Sequence, residues 1–142
     1  MKGVAFLLVL VLLLSCEKEL NEADLLGANA DIVGTWIEKG YEDDVLILDR
    51  SQELDLSKYG FTINEDGTFI ERKNAGLWNT ASITYDDFEG TWEAVSDSLL
   101  AITVGYWGGT ITYQMRIVSL DQDNLAIRYL YAEDRVQSRK IK

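Results

Sequence analysis

The sequence predicts an all-β protein built as a single antiparallel meander β-barrel of about eight strands. From Ile32 onward, short runs rich in Thr, Tyr, Trp, Ile and Val alternate with turn clusters, which is typical of strands joined in hairpins. Asn64-Glu65-Asp66-Gly67 is one such tight turn, with Gly where a positive φ is needed. Apolar and polar residues alternate along the runs, so each strand presents one face to a core and the other to solvent.

A short helical turn is expected before the first strand, and strands are then expected in order along the chain. Their ranges are 33–39, 59–64, 67–73, 81–86, 87–95, 98–104, 109–118, 124–132 and 135–141. The apolar run Val45 to Leu48 lies inside a long first connection, 40–57, as a short strand or a lid segment. A twisted meander of this length closes on itself or splits into two sheets. Because no helix is long enough to cover an open sheet, a barrel is favoured, with a two-sheet β-sandwich as the alternative.

The start of the chain is typical of a secreted precursor. Lys2 precedes an apolar run from Val4 to Leu14, which is shorter than the roughly 20 residues of a bilayer-spanning helix and fits a signal peptide. Leu13-Leu14-Ser15-Cys16 resembles the lipobox of bacterial lipoproteins, in which a peptidase cuts before a cysteine that carries diacylglycerol. The alternative is an ordinary signal peptide followed by an incidental cysteine.

The lipobox resemblance implies three segments and a location. They are a signal peptide at 1–15, a lipidated acidic tether at 16–31 and a barrel domain at 32–142. The lipid on Cys16 would anchor the protein in the bacterial cell envelope, at the outer membrane. Glu17-Lys18-Glu19 is similar to the acidic signal for export to the outer surface in some envelope lipoproteins, so periplasmic and surface-exposed positions both stay open.

Composition argues against several classes of function. Without Lys2, 12 basic residues stand against 24 acidic ones, a net charge of −12, which disfavours nucleic acid and anionic membrane surfaces as partners. The chain has no His and Cys16 is its one cysteine, so the histidine-based nucleophile arrangements and the commonest zinc ligand are missing. Asp121-Gln122-Asp123 begins like a calcium loop, but Ala126 and Ala132 do not continue it. We therefore expect no enzyme, metal or cofactor.

Three short motifs resemble the lipocalin-like domains of bacterial lipoproteins in their order. They are Gly34-Thr35-Trp36, Asp66-Gly67-Thr68-Phe69 and Gly90-Thr91-Trp92. The resemblance extends over roughly 32–131 and implies a barrel. The second conserved loop motif of lipocalins, T-D-Y, has no counterpart in this chain.

The same resemblance implies a structural plug at one end of the barrel. Gly34 and Trp36 match the first-strand motif whose Trp closes the barrel in lipocalins. An Arg from the end of the last strands packs over that Trp, and Arg135 or Arg139 would supply the cation here.

The aromatic interior makes a small ligand the leading hypothesis. A barrel of eight strands is either filled by its own side chains or holds one small ligand. Tyr113 and Tyr129 also carry hydroxyls that need partners when buried. The inward positions proposed for ligand contact are Phe61, Phe69, Trp92, Tyr113, Met115 and Tyr129.

Two functions follow from these observations. The first is a non-enzymatic envelope lipoprotein whose lipocalin-like barrel binds a small apolar or amphipathic molecule, which calls for an apolar cavity of about 300 Å³ or more. The alternative is a filled barrel that acts through its loops on a protein partner, as an accessory subunit or inhibitor. Exposed aromatics near Trp78 or Trp107 would favour the alternative.

Overall fold

The computed structural model describes residues 30–76 and 83–131, and most of this part of the chain is β-strand. A 3-10 turn at Ala30–Ile32 precedes the strands. These are β1 (Gly34–Glu42), β2 (Val45–Ser51), β3 (Gly60–Ile63), β4 (Thr68–Asn74), β5 (Tyr85–Ser96), β6 (Leu99–Tyr106), β7 (Gly109–Leu120) and β8 (Asn124–Leu130). Among the described residues, no helix is long and apolar enough to cross a membrane.

The eight strands form one closed barrel in which every neighbouring pair is antiparallel. This confirms the predicted antiparallel barrel of about eight strands and rules out the two-sheet sandwich, since the described strands leave no open sheet edge. The order around the barrel is β1-β2-β8-β7-β6-β5-β4-β3, with β3 returning to β1.

The strand order departs from the predicted meander at one place. Strands β3 to β8 follow one another as a meander, but the β1–β2 hairpin is inserted between the two ends of that meander. Leu46 and Leu48 of β2 pair with Ile127 and Leu125 of β8, so the run from Val45 is a barrel strand and no lid segment. The sequence alone left both a short strand and a lid segment open, because this run lies between polar, turn-forming residues.

Two other strand predictions change in detail. The separate strands expected at 81–86 and 87–95 are one strand, β5, over the described residues, because Asp86-Asp87 continues the extended backbone without a turn. The predicted strand at 135–141 lies outside the described residues, as do Trp78, Arg135 and Arg139.

The apolar core fills most of the barrel from the end at which β1 begins, which we call the plug end. Alternate residues along each strand point inward, and these positions carry the large apolar side chains. The buried cluster consists of Ile32, Trp36, Leu46, Leu48, Phe61, Ile63, Phe69, Trp92, Leu100, Ile102, Val104, Tyr113, Met115, Leu125 and Ile127.

Trp36 and Arg50 close the plug end. Trp36 is fully buried, and its Nε1 donates to the carbonyl oxygen of Ile32 at 2.8 Å. The guanidinium of Arg50 lies 4.1 Å from the centre of the Trp36 ring system, so β2 supplies the cation that the resemblance assigned to Arg135 or Arg139. Gly34 leaves room for this arrangement, since a Cβ there would lie 2.5 Å from Nη1 of Arg50, at a φ of +139°.

Arg50 also ties three backbone segments together. It donates to the carbonyl oxygens of Asp31 at 2.6 Å, Val33 at 2.9 Å and Gln122 at 2.6 Å. The first two precede β1 and the third precedes β8, so one side chain joins the chain before the barrel to the last described turn.

Gly90, the glycine of the third motif, is required by close packing of strands. A Cβ on Gly90 would overlap the backbone oxygen of Thr103 and lie 2.8 Å from the Cα of Val104. We therefore expect Gly90→Ala to lower the free energy of unfolding by about 1–3 kcal/mol, measured by urea denaturation. Gly105→Ala is the matched control, because its Cβ would lie 3.5 Å from the nearest atom, the backbone oxygen of Glu89. Equal stability of the two variants would contradict this explanation.

Candidate functional site

The end of the barrel opposite the plug opens into a cavity, and we call this end the mouth. The turn between β1 and β2 and the turn between β6 and β7 both lie there. The cavity has a volume of about 270 Å³. Its wall combines aromatic, charged and aliphatic side chains, namely Tyr41, Tyr59, Glu71, Lys73, Ile111, Tyr113, Tyr129 and Tyr131.

The wall follows from the alternation of residues along the strands. On β4, Phe69, Glu71 and Lys73 share the inward face because they are two residues apart. The inward row of β4 therefore begins in the apolar core at Phe69 and ends at the mouth with the charged side chains of Glu71 and Lys73. The inward row of β7 also runs from the core to the cavity: it begins at buried Met115 and continues through Tyr113 and Ile111, which line the cavity.

Glu71 is the polar centre of the mouth. Its side chain is only 7% exposed. Oε1 accepts hydrogen bonds from the hydroxyls of Tyr59 at 2.8 Å and Tyr113 at 3.1 Å, and Oε2 accepts one from Nζ of Lys73 at 2.6 Å. A buried carboxylate is tolerated when it is paired and hydrogen-bonded, and these three donors meet both conditions.

The hydrogen bonds at Glu71 also set the direction of the neighbouring phenol protons. The hydroxyls of Tyr59 and Tyr129 are hydrogen-bonded to each other. Because the single proton of Tyr59 is already donated to Glu71, Tyr129 is the donor in this second bond. Three phenol protons are thus directed, in one or two steps, at one carboxylate.

Burial and the charge on Glu71 keep these phenols neutral. Loss of solvation on burial is the largest effect, and it raises the pKa of Tyr59, Tyr113 and Tyr129 well above the usual value. The negative charge of Glu71 raises the pKa of all three further. At neutral pH they are hydrogen-bond donors and aromatic surfaces.

The aromatic rings form one side of the mouth. The rings of Tyr113 and Tyr129 meet edge to face, with centroids 5.4 Å apart, and Tyr131 lies 6.2 Å from Tyr129 and 6.4 Å from Tyr113. Tyr41 and Tyr131 are 60% and 53% exposed, so the outer part of this wall is open to solvent. A flat or aliphatic group could pack against these rings with its other end in water.

The structure distributes the six residues predicted for ligand contact over two regions. Tyr113 and Tyr129 line the cavity. The other four, Phe61, Phe69, Trp92 and Met115, belong to the buried core. Trp92 also donates from Nε1 to the carbonyl oxygen of Asn64 at 2.7 Å, at the plug end.

Sequence reasoning missed Glu71 and Lys73. Glu71-Arg72-Lys73 has the composition of a solvated run of charges, and only Arg72 has a partner on the outer surface, where it forms an ion pair with Asp87. Their spacing in the sequence could have identified them, because Glu71 and Lys73 lie two and four residues after Phe69 and so continue the inward positions of the strand.

A larger hollow, of about 500 Å³, lies at the plug end between Asp31, Arg50, Asp121 and Gln122. Arg50, its cationic side chain, already donates to three backbone carbonyls and packs on Trp36. Since this guanidinium is committed to closing the barrel, the mouth is the better candidate for a binding site.

The sequence pattern of the lipocalin-like domain matches residues 32–127, from the turn before β1 into β8. The chain belongs to the lipocalin-like domain family. The match confirms the lipocalin-like resemblance inferred from the three short motifs. No curated protein and no solved structure gives a significant match to the sequence. Lipocalin-like barrels are in general non-enzymatic folds that bind small ligands, and the cavity at the mouth fits that general role.

The buried phenols of this lipocalin-like domain predict a loss of stability in alkali. The folded state raises the pKa of Tyr59, Tyr113 and Tyr129 above the ordinary tyrosine value of 10.0, to which unfolding returns them. Above about pH 10 the unfolded chain has therefore released protons that the folded chain keeps, so the free energy of unfolding falls as pH rises from there. Below that pH these groups leave stability unchanged.

Phenolate absorbance recorded together with circular dichroism checks this prediction. The three phenols should ionise only in the step in which the barrel unfolds. Tyr113→Phe should remove one phenol from that step. Ionisation of all three in a barrel that is still folded would contradict the prediction.

Proposed function

We propose that this protein is a lipid-anchored protein of the bacterial cell envelope whose barrel mouth binds one small amphipathic molecule without catalysing a reaction. The observation that supports it most is the mouth cavity of about 270 Å³, which has tyrosine rings on one side and the Glu71–Lys73 ion pair on another. A ligand with an apolar body and a polar end matches both kinds of wall.

The size of the cavity limits the ligand. At about 270 Å³ the cavity is slightly smaller than the apolar cavity of about 300 Å³ or more expected from the sequence, and Glu71 and Lys73 make part of its wall polar, so it suits a molecule smaller than drug-sized ligands. The side chains beneath it, including Phe61, Phe69 and Met115, are fully buried and close-packed. A long acyl chain along the barrel axis would have to displace this core, so the proposed ligand is short, or extends outward past Tyr41 and Tyr131.

Blocking the cavity is the direct test of the proposed binding. Ile111 lies on the cavity wall and is 41% exposed, so Ile111→Trp should fill the cavity without removing a hydrogen bond at Glu71. Val118→Trp is the matched control, because Val118 lies toward the other end of the same strand, is 50% exposed and lines no part of the mouth.

The measurement is mass spectrometry of the small molecules that co-purify with the full chain from a bacterial host. We expect one compound at near-stoichiometric level with the wild type and with Val118→Trp, and its loss with Ile111→Trp. Absence of any such compound from the wild type, or equal amounts in all three proteins, would contradict binding at the mouth.

Lipid anchoring is supported by the lipobox resemblance at Leu13-Leu14-Ser15-Cys16. We expect Cys16→Ala to abolish incorporation of a labelled fatty acid and to move the protein from the membrane fraction to the soluble fraction, since two or three acyl chains make an anchor stable. Lys18→Ala, two residues away, should leave labelling and fractionation unchanged. Continued labelling of the Cys16→Ala variant would contradict lipid attachment at this residue.

A second function is favoured by the aromatics at the rim of the mouth. Tyr106 is the last residue of β6 and is 44% exposed. Trp107 lies in the β6–β7 turn and is 59% exposed. Such side chains are enriched at protein interfaces. In this alternative the barrel acts through its loops on a protein partner, and Trp107→Ala would weaken that association while leaving the content of the mouth unchanged.

A further inference from the structure

We propose that the mouth selects a small organic anion, such as a carboxylate, and that the ammonium of Lys73 binds its charged group. This inference rests on the ligand binding proposed above and adds the chemical class of the ligand and the residue that recognises it. It is carried by the distribution of hydrogen-bond donors and acceptors around Glu71.

Lys73 has donors to spare at the cavity. Its Nζ donates to Oε2 of Glu71 at 2.6 Å and lies 4.9 Å from the centre of the Phe88 ring. An ammonium carries three N–H donors, and among the described residues Glu71 is the one acceptor within hydrogen-bond distance of this nitrogen. The side chain lines the cavity and is 24% exposed, so the remaining donors are accessible to a ligand.

Glu71, in contrast, is only 7% exposed and already accepts three hydrogen bonds from the protein. Tyr59, Tyr113 and Lys73 all donate to it. A cationic ligand would have to reach this little-exposed carboxylate beside the ammonium of Lys73, so two like charges would lie close together. An anionic ligand breaks no hydrogen bond of the protein, and the ammonium that it would share with Glu71 offsets the repulsion between the two negative charges, so the anion is the better fit.

The tyrosine hydroxyls support the same assignment. Tyr59 and Tyr113 donate their protons to Glu71 and Tyr129 donates its proton to Tyr59, which leaves Lys73 as the charged donor of the cavity wall. The chain as a whole has a net charge of −11, which repels an anion at a distance. Salt screens that repulsion beyond about 8–10 Å, whereas the contact with Lys73 is direct and partly shielded from water. Recognition of the anion is therefore local to Lys73.

A matched ligand series tests the charge. The full chain in a non-ionic detergent is titrated calorimetrically with phenylbutyrate, phenylbutyramide and phenylbutylamine, which share one apolar body and differ in the end group. We expect phenylbutyrate to bind about ten- to a hundredfold more tightly than the neutral amide, as a charge-assisted hydrogen bond provides, and the amine to bind most weakly.

A matched pair of variants tests the residue. Lys73→Met should remove the preference for phenylbutyrate over the amide. Lys39→Met makes the same change of charge on the outer face of β1, where Nζ pairs with Asp49 at 3.0 Å, and should keep the preference. Because Lys73→Met takes a donor away from buried Glu71, the double variant Glu71→Gln/Lys73→Met is measured as well, together with the melting temperature of each protein. It should fold and show no preference.

The outcomes separate this inference from the proposed function. Equal binding of acid and amide by the wild type, or an unchanged preference in Lys73→Met, would overturn the role of Lys73 while leaving ligand binding in place. Tightest binding of the amine would assign the mouth to cations. No binding of any of the three, together with no compound extracted from the wild type, would contradict both proposals, whereas an extracted neutral or cationic compound would contradict this inference alone.

Discussion

Closure of the barrel is the constraint on which the rest of the structure depends. The sheet closes because the β1–β2 hairpin joins both ends of the β3–β8 meander, through pairs such as Leu48 with Leu125 and Trp36 with Phe61. Once closed, the sheet has a fixed interior that side chains must fill. At the plug end, large apolar side chains fill it and Arg50 covers Trp36. The charged side chains of the inward row of β4, Glu71 and Lys73, lie beyond this core at the mouth.

The inward position of Glu71 explains why its carboxylate organises the hydrogen bonds of the mouth. A charge on the inward face of a barrel strand loses most of its hydration, so it must find donors within the wall. Glu71 finds them in Tyr59, which directly precedes β3, in Tyr113 of β7 and in Lys73 of its own strand. The same hydrogen bonds fix the direction of the phenol protons and anchor the hydroxyl ends of these rings, so one buried charge organises the polar part of the wall.

Local pattern predicted much of this architecture. Period-two alternation identified the barrel and the inward rows, including Tyr113 and Tyr129 of the cavity. It did not predict the pairing of β2 with β8, because long-range register depends on which apolar faces meet and not on the turn next to the strand. The sequence analysis did not identify Glu71 and Lys73, because a charged triplet such as Glu71-Arg72-Lys73 is normally exposed to solvent. Only their spacing from Phe69 indicates that these two side chains point inward.

The division between the two ends also bears on why the mouth keeps an ion pair. Replacing a buried ion pair with apolar side chains is often neutral or stabilising, so the fold alone does not require Glu71 and Lys73. The apolar core that stabilises the barrel is already complete at the plug end, with Phe61 and Phe69 fully buried beneath them. A charged pair on a concave wall that is open to solvent therefore supports the proposed recognition of a ligand, and this is the reason to look for the ligand's charged group beside Lys73.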